Sequence, residues 1–292
     1  MSAIILSGSE LAKAMRQEIE TDVLAFVKKH GYAPTAAIVR AGDDAASISY
    51  SNALEKALGA RGLGFKLYTL PGNASQKEIV GLVARLNADK TIHGIMVQEP
   101  LPKGIDEAAV KDALSPDKDV DGVHPLNTGR LAQAAPADRP STTGPFFVPA
   151  TPAGGMEILK RYKITLQGKH AVVVGRSTIV GKPMALLLLR ENASVSMCHS
   201  QTNDLPGMCR TADILCAAVG KAGMIKGDWI KPGAVVIDFG VNFVNGEMVG
   251  DVDYKEAAEV AGMITPVPGG TGPMTNVMLM KNLIEAARRQ VE

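Results

Sequence analysis

Three polar side chains in the first half of the 292-residue chain are of types that bind small molecules: Tyr50, Gln98 and Asp121. Tyr50 falls within a predicted helix, Gln98 ends a predicted strand, and Asp121 closes the acidic segment 116–121. Each also has a structural interpretation, as a half-buried helix aromatic, a polar strand end and part of a solvated turn. Because open α/β sheets bind ligands at the carboxyl ends of their strands, a ligand site is the functional alternative.

The segment 172–183 has the order of elements that holds a phosphate. A strand, a turn at Gly175 and a helix start at Gly181 follow one another, and this arrangement presents free backbone N–H groups to an anion. Ser177 and Val180 take the places of the second and third glycines of the dinucleotide fingerprint. An ordinary strand-to-helix turn therefore remains the alternative to nucleotide binding.

The residues around this turn favour NADP over NAD. The next predicted strand ends in Met-Cys-His-Ser at 197–200, without the carboxylate that would hydrogen-bond the ribose hydroxyls of NAD. The forked guanidinium of Arg176 and the hydroxyl of Ser200 are suited to hold a ribose phosphate instead.

The elements that must position these residues alternate between helices and strands. In the first half, the periodicity predicts helices over 9–30, 44–61 and 75–87 and strands over 35–40, 65–70 and 94–98. After a Pro-, Ala- and Ser/Thr-rich stretch at 132–152, it predicts strands over 170–174, 194–197, 214–219 and 234–239 and a helix over 181–190. This order predicts an α/β fold with parallel sheet pairing in two domains, 1–148 and 149–273. A closing helix, 274–292, is expected to pack back on the first domain.

The composition excludes several classes of protein. With 46% hydrophobic and 21% charged residues and a formal net charge of +1, the chain is neither disordered nor attractive as a whole to nucleic acid or membranes. Aromatic residues make up only 4%, too few for a platform that stacks single-stranded bases. The three cysteines lack metal-ligand spacing and fit free thiols in a reducing compartment. Neither a secretory signal nor an apolar span of about 18 residues is visible, so we expect a cytoplasmic protein that binds no metal.

Motifs along nearly the whole chain resemble those of the bifunctional methylenetetrahydrofolate dehydrogenase/cyclohydrolases. In the first half these are VQEPLP (97–102), PDKDVDG (116–122), HP (124–125) with Asn127, and GRL (129–131). In the second half they are GRS (175–177), IVG (179–181) with Pro183, KPGA (231–234), DFG (238–240), GDV (250–252), ITPVPGG (264–270) and GPMT (272–275). Together these motifs are highly specific.

The resemblance implies a homodimer of two-domain subunits that acts in one-carbon metabolism, with folate in a cleft between an α/β domain and a Rossmann-type NADP domain. The family's catalytic residues fall on Tyr50, Gln98 and Asp121, and Asp121 would hydrogen-bond the pterin ring. Further substrate contacts fall on Val97, Pro100, Pro268 and Gly269. The NADP contacts fall on Gly175, Arg176, Ser177, Ser200 and Val241.

One departure from the family pattern bears directly on the chemistry. Four residues after the tyrosine the motif has a catalytic lysine, whereas this chain has Leu54. The count from Gly42 through Tyr50 to Gly62 needs no gap, so the alignment does not recover a lysine. Lys56 lies about 200° further round the helix and is expected to point away from the cleft.

The two reactions of the family depend on such a lysine to different degrees. Hydride removal from the methylene carbon leaves a resonance-stabilised cation, so that step needs positioning more than proton transfer. Hydrolysis of the methenyl cation needs proton transfers that general acid–base catalysis accelerates by about 10²–10⁴. Because Leu54 offers no such group, we predict an NADP-dependent methylenetetrahydrofolate dehydrogenase with weak or lost cyclohydrolase activity. A dehydrogenase for a related pterin and a silent paralogue that binds folate or NADP remain alternatives.

Overall fold

The computed structural model describes residues 2–140 and 143–291. The chain divides into two compact units, each assembled from three separate stretches. Unit 1 comprises Met1–Lys13, Arg130–Gly144 and Thr151–Thr275, and unit 2 comprises Ala14–Gly129, Pro145–Ala150 and Asn276–Glu292. Each unit contains a parallel sheet with helices, which confirms the predicted two-domain α/β fold.

The strands, in chain order, are β1 (Ile4–Ile5), β2 (Thr35–Ala41), β3 (Gly64–Leu70), β4 (Gly94–Val97), β5 (His170–Val174), β6 (Ser194–Cys198), β7 (Ile214–Ala217), β8 (Val235–Asp238), β9 (Asn242–Val244), β10 (Glu247–Val249) and β11 (Met263–Ile264). The helices are α1 (Gly8–His30), α2 (Ala45–Gly59), α3 (Gln76–Ala88), α4 (Glu107–Ala113), α5 (Pro125–Gln133), α6 (Ala150–Arg161), α7 (Gly181–Arg190), α8 (Leu205–Arg210), α9 (Tyr254–Val260) and α10 (Thr271–Arg289). A 3₁₀ helix covers Gly227–Trp229.

Unit 2 is built on a parallel sheet with the strand order β3-β2-β4. The central strand β2 contributes Ala37 and Val39 to a core cluster that includes α3. Helix α2 has a buried face formed by Ser47, Ser51, Leu54 and Leu58. These four residues recur at spacings of three and four positions, which places them on one side of a helix.

The last part of α10 is tied into unit 2 by side-chain hydrogen bonds. Asn282 donates through Nδ2 to the carbonyl of Val120 at 2.8 Å and to that of Val148 at 3.1 Å. Arg288 pairs with Asp22 at 2.8 Å. Unit 2 thus includes residues that are far apart in the sequence.

Unit 1 is built on a parallel sheet with the order β1-β11-β8-β7-β5-β6. The chain passes from β5 outward to β6 and then returns to β7 on the other side of β5. This reversal makes the carboxyl ends of β5 and β7 a topological switch point, the place where open α/β sheets bind dinucleotides. Strand β5 reads His-Ala-Val-Val-Val and is buried, as a central parallel strand should be. Unit 1 is therefore of the Rossmann type.

The predicted elements are confirmed with small shifts at their ends. Helix α1 begins at Gly8, because the hydroxyl of Ser7, and not that of Ser9, accepts a hydrogen bond from the N–H of Glu10 at 3.3 Å. The stretch 132–152, predicted as a connection, contains the end of α5 and the start of α6. The sequence did not predict α4, α5, α6, α8, α9, β9, β10 or β11. In the part of the chain that the structure describes, no helix is long and apolar enough to cross a membrane.

Candidate functional site

A cavity of about 230 Å³ lies in unit 2, where β4 ends and α2 begins. Three of the residues identified from the sequence line it: Tyr50, Gln98 and Pro100. The other lining residues are Asp44, Ala46, Ser47, Met96 and Glu99. Val97, the last residue of β4, is half-buried and stands in the sequence between two lining residues, Met96 and Gln98.

Asp44 fixes the start of α2 and so the position of Tyr50. Its carboxylate accepts hydrogen bonds from the backbone N–H and the hydroxyl of Ser47, at 2.8 and 2.9 Å. These bonds hold the pKa of Asp44 below its usual value, so it stays ionised. Burial, with a smaller effect from the charge of Asp121, raises the pKa of the Tyr50 phenol. The phenol is therefore a hydrogen-bonding group and not a base near neutral pH.

Gln98 extends the pairing of β4 with β2 by one residue, since its N–H donates to the carbonyl of Val39 at 2.9 Å. Its side chain is buried, and Nε2 donates to the carbonyl of Ser47 at 3.2 Å. Its Oε1 is buried and has no hydrogen-bond partner among the described residues. One end of the carboxamide is thus anchored to α2, and the other end offers an unused acceptor.

Arg40, which the sequence analysis did not identify, lies beside Gln98. Val39 of β2 and Val97 of β4 are register partners, and Arg40 and Gln98 are the residues that follow them. The guanidinium donates through Nη1 to the hydroxyl of Ser51 at 3.0 Å. A cation within the otherwise apolar strand Thr-Ala-Ala-Ile-Val-Arg-Ala is the sequence signal that would have identified it.

Leu54 belongs to the buried face of α2 and has no exposed surface. Ser51, which contacts Arg40, lies one turn earlier on the same face. Lys56 is exposed. Position 54, where the resemblance leads us to expect a lysine, is therefore apolar and fully covered in this protein.

Asp119, which the sequence analysis did not single out either, organises the segment that carries Asp121. It is fully buried and accepts hydrogen bonds from the backbone N–H groups of Val123 and His124, at 3.1 and 2.8 Å, and from Nδ2 of Asn127 at 2.8 Å. Burial raises the pKa of Asp119 and these hydrogen bonds oppose that effect. The three bonds hold the turn after Asp119 in one conformation.

The pKa of Asp121 is shifted into the neutral range by its surroundings. Burial, together with the negative charges of Asp119 and Glu99, raises its pKa to about 7. Glu99 in turn forms an ion pair with Lys111 at 2.7 Å. Asp121 is not among the described residues that line the cavity, although its charge affects Tyr50. Near neutral pH it is present in both charge states.

The turn after β5 in unit 1 has the close packing that a phosphate-binding turn requires. Gly175 has φ +126°, and a Cβ on it would collide with the carbonyl oxygen of Ala218, which follows β7. A Cβ on Gly181 would collide with the carbonyl oxygen of Gly175. The hydroxyl of Ser177 accepts hydrogen bonds from the N–H groups of Val180 and Gly181, both at 3.2 Å. The residues that stand in the fingerprint positions therefore build a tight strand-to-helix turn.

Two buried carboxylates that sequence reasoning missed hold the neighbouring loops of unit 1. Asp251 accepts hydrogen bonds from the N–H groups of Val219, Gly220 and Lys221, at 2.6, 3.0 and 2.8 Å. These groups belong to the loop after β7, which begins beside the Gly175 turn. The sequence signal that could have identified these two carboxylates was the aspartate in each of the motifs DFG (238–240) and GDV (250–252).

Asp238, the last residue of β8, accepts hydrogen bonds from the N–H groups of Gly240, Asp251 and Val252, at 2.8, 3.1 and 2.9 Å. Burial raises the pKa of Asp238 to about 6. Val241 follows this bonded segment and is 57% exposed. The loop after β8 is thus fixed by buried charge while its apolar side chain remains open to a ligand.

The remaining residues identified from the sequence all follow the carboxyl ends of unit 1 strands. Arg176 and Ser177 are exposed in the turn after β5, and Ser200 is exposed after β6. Pro268 and Gly269 follow β11, and the carbonyl of Gly269 accepts a hydrogen bond from the N–H of Ser9 at 2.9 Å. Unit 1 therefore brings its candidate cofactor residues, together with the candidate substrate residues Pro268 and Gly269, to the carboxyl edge of its sheet. Within residues 2–140 and 143–291, no group of three or more His, Cys, Asp or Glu side chains is placed to hold a metal ion.

Comparison with known proteins identifies similar chains over the full length. Residues 6–121 match the model of the tetrahydrofolate dehydrogenase/cyclohydrolase catalytic domain, and residues 149–291 match that of the tetrahydrofolate dehydrogenase/cyclohydrolase NAD(P)-binding domain. The bifunctional protein FolD of Roseiflexus sp. (strain RS-1) is 50% identical over 292 residues, which is 100% of this chain and 98% of that protein.

Two crystal structures show the same likeness in three dimensions. The bifunctional enzyme FolD of Campylobacter jejuni superposes with a TM-score of 0.93 at 38% identity and 99% coverage of both chains. The Trypanosoma brucei methylenetetrahydrofolate dehydrogenase-cyclohydrolase, complexed with NADP cofactor and inhibitor, superposes with a TM-score of 0.92 at 36% identity. That match covers 100% of this chain and 99% of the other.

Proposed function

The chain belongs to the tetrahydrofolate dehydrogenase/cyclohydrolase family, and from this premise we propose that it oxidises methylenetetrahydrofolate with NADP and hydrolyses the product weakly or not at all. The observation that carries the second part is Leu54, buried and apolar on the helix that presents Tyr50. We propose further that the active form is a cytoplasmic homodimer.

The residues of unit 1 fit a bound NADP. Gly175 packs directly on the carbonyl of Ala218, and because it has no side chain, none at this position stands between the backbone of the turn and a diphosphate. Arg176 is exposed in that turn and carries the charge suited to a ribose phosphate. When bound, NADP supplies the acceptor for a hydride and its electron pair.

The residues of unit 2 bind and orient the folate. Tyr50 and Gln98 offer a protonated phenol and a carboxamide within one cavity, and ionised Asp121 accepts a hydrogen bond from the pterin ring. In the oxidation, the C–H bond of the methylene carbon breaks, both electrons leave with the hydride, and the remaining charge is shared by the two flanking nitrogens. No proton is transferred in this step, so positioning by Tyr50, Gln98 and Asp121 suffices.

Hydrolysis makes a demand that these residues meet poorly. A water must lose a proton as its oxygen bonds to the methenyl carbon, and a ring nitrogen must gain one as its bond to that carbon breaks. Leu54 has no titratable group, and Tyr50 is held as a phenol by the raised pKa of its hydroxyl. Asp121 is committed to the pterin. Oxidation is therefore retained and hydrolysis is slow.

The test follows both products in one assay. Purified wild type is mixed with NADP and methylenetetrahydrofolate, and NADPH formation and the rise and decay of the methenyl compound are recorded together. We expect NADPH to form and the methenyl compound to accumulate, whereas Leu54→Lys clears it by about 10²-fold or more above the wild-type rate.

The matched control is Asn52→Lys, which adds a lysine at an exposed position of α2 about 200° round the helix from Tyr50. It should accumulate the methenyl compound as wild type does. Clearance by wild type well above the buffer rate would contradict the proposal for hydrolysis, and absence of NADPH formation would contradict the proposal for oxidation.

A further inference from the structure

Arg40 and Gln98 form a pair of neighbours on one face of the unit 2 sheet. They follow the register partners Val39 and Val97, and side chains at matching positions of adjacent strands leave a sheet on the same face. Both reach the buried face of α2: Arg40 through the hydroxyl of Ser51, and Gln98 through the carbonyl of Ser47. One layer of polar groups therefore lies between this end of the sheet and α2.

Ser51 links the two contacts. Its hydroxyl accepts from Nη1 of Arg40 at 3.0 Å and lies 2.9 Å from the carbonyl of Ser47, to which it donates. That same carbonyl accepts from Nε2 of Gln98 at 3.2 Å. A continuous set of hydrogen bonds thus connects the guanidinium to the carboxamide that lines the cavity.

Each member of the pair has one unused hydrogen-bonding atom, and the two are complementary. Nε of Arg40 is a buried donor and Oε1 of Gln98 is a buried acceptor, both without a partner among the described residues. Buried polar atoms in native proteins are almost always hydrogen-bonded. In the described part of the chain, no carboxylate lies within 4.0 Å of the Arg40 guanidinium to balance its charge.

Because position 54 of α2 is a leucine, the charged hydrogen-bond donor in this layer comes from the sheet. Leu54 occupies the buried face of α2 one turn beyond Ser51 and brings no donor to the layer. Arg40 supplies from β2 a charged donor that α2 does not supply. A guanidinium orients its partners in a fixed planar geometry, but it does not release a proton in proteins and cannot act as a general base.

We propose that Arg40 is the positioning residue for Gln98, and that Nε–H of Arg40 donates to Oε1 of Gln98 when folate is bound. This inference rests on the proposed function, because Gln98 acts on folate only there. The bond fixes which end of the carboxamide faces the cavity. The bond would also keep Gln98 in place for hydride transfer. Because a guanidinium cannot act as a base, it would not provide the proton acceptor that hydrolysis needs.

A double-mutant cycle on oxidation tests the inference. Arg40→Leu should lower kcat/KM for methylenetetrahydrofolate about tenfold to a hundredfold, the range expected for a lost hydrogen bond to a charged group, with KM for NADP unchanged. Arg40→Lys, which keeps the charge but not the planar arrangement of donors, should recover only part of that loss. In a Gln98→Ala background, Arg40→Leu should have no further effect, because Arg40 acts through the carboxamide.

Arg61→Leu is the matched control. Arg61 lies in the same unit and also has a buried Nε without a described partner, but its guanidinium pairs with Glu20 at 2.6 Å and does not contact the cavity. It should leave kcat/KM for folate unchanged. Thermal melting of every variant verifies folding, and Arg40→Leu should melt close to wild type, because the lost hydrogen bond to Ser51 is offset by removal of a half-buried charge that has no carboxylate partner among the described residues.

The outcomes separate the inference from the function on which it rests. Unchanged kinetics in Arg40→Leu, or losses that add in the double variant, overturn the inference while the oxidation itself stands. If wild type does not form NADPH, calorimetric titration with tetrahydrofolate replaces the kinetic readout. The inference is then supported, without the proposed oxidation, if Arg40→Leu binds tetrahydrofolate more weakly than wild type and if the same substitution has no effect on binding in the Gln98→Ala background. Equal binding by wild type and Arg40→Leu, or no binding by either, overturns it.

Discussion

At the scale of single residues, the proton on Asp121 controls how well the pterin is held. Its pKa is raised to about 7 by burial and by Asp119 and Glu99, so acidification near neutral pH neutralises it. A neutral carboxyl is a poorer acceptor for a pterin N–H than a carboxylate. We therefore expect KM for methylenetetrahydrofolate to rise as pH falls below about 7, approaching about tenfold per pH unit.

Steady-state kinetics between pH 5.5 and 8.5, roughly spanning that pKa, measure this dependence. Glu99→Gln removes one of the negative charges that raise the pKa of Asp121, so its profile should shift to lower pH. Glu107→Gln is the control, since Glu107 also lies near Lys111, at 4.0 Å, but does not appear among the causes of the shift. A KM that is flat with pH in wild type would contradict the prediction.

Sequence reasoning reached some of these residues and missed others for a physical reason. Tyr50 and Gln98 were recognisable because the end of a strand and the positions of the family motifs can be identified from the sequence alone. Arg40 bonds to Ser51 on α2 and Asp119 accepts from backbone N–H groups, so their roles depend on contacts that spacing along the chain does not reveal. The lining of the cavity by Gln98 and Tyr50 together required the fold.

At the scale of elements, the packing of α2 on β2 limits what can be placed at position 54. Leu54→Lys puts an ammonium into a covered layer one turn from Ser51, which holds the Arg40 guanidinium. Burial and the like charge both disfavour the ammonium, and we expect the variant to lose roughly 2–4 kcal/mol of unfolding free energy. Adding Arg40→Leu should restore part of that stability.

Denaturant titration of the single and double variants measures the stability difference. The pH profile of methenyl hydrolysis gives a second readout, because a neighbouring cation lowers the pKa of a lysine. Removing the charge of Arg40 should move that profile to higher pH. Equal stabilities and identical profiles in the presence and absence of Arg40 would show that the two positions do not interact.

The loop after β7 depends on one buried carboxylate. Asp251→Ala leaves the N–H groups of Val219, Gly220 and Lys221 without their acceptor. Hydrogen bonds to a charged group typically contribute about 1.5–3 kcal/mol each, and less where water can replace the acceptor, as it can at the exposed residues Gly220 and Lys221. We expect a loss of roughly 2–4 kcal/mol in stability and weaker NADP binding, measured by denaturant titration and calorimetry.

Asp228→Ala serves as the comparison, since Asp228 is an exposed carboxylate of the same unit. It should unfold and bind NADP as wild type does. If Asp251→Ala behaved in the same way, the hydrogen bonds to the loop would contribute nothing measurable.

The elements themselves were predictable to different degrees. Strand β5 and helix α7 were predicted to the residue, because the run of buried aliphatic residues in β5 and the apolar segment of the ten-residue helix α7 are strong hydrophobic signals with clear ends. Helix α4 covers only seven residues, Glu107–Ala113, and the hairpin β9–β10 is largely exposed, so neither has a buried pattern to detect. Short elements are defined by tertiary contacts more than by their own residues.

At the scale of the whole molecule, cofactor binding should appear as resistance to heat. A ligand that binds the native state at a concentration of about 100 Kd stabilises it by about 2.7 kcal/mol. We expect NADP to raise the melting temperature by several degrees, and NAD at the same concentration to raise it less, because only NADP carries the phosphate that Arg176 suits.

Differential scanning calorimetry with Arg176→Ala isolates that phosphate contact. The variant should lose about tenfold or more in NADP affinity, with NAD unaffected. Lys255→Ala, an exposed cation on α9, is the control and should respond to NADP as wild type does. Equal shifts with NADP and NAD in wild type would contradict the preference.

The division of each unit into three stretches has a consequence for synthesis on the ribosome. Unit 2 includes Asn276–Glu292, and Asn282 and Arg288 bond to residues made far earlier. A nascent chain that has emerged only as far as residue 250 therefore lacks parts of both units: the unit 1 sheet still lacks β11, and the unit 2 sheet has all its strands but not the residues of α10 that bond to unit 2. Chaperones that shield apolar strands during elongation should accordingly hold this chain until late in its synthesis.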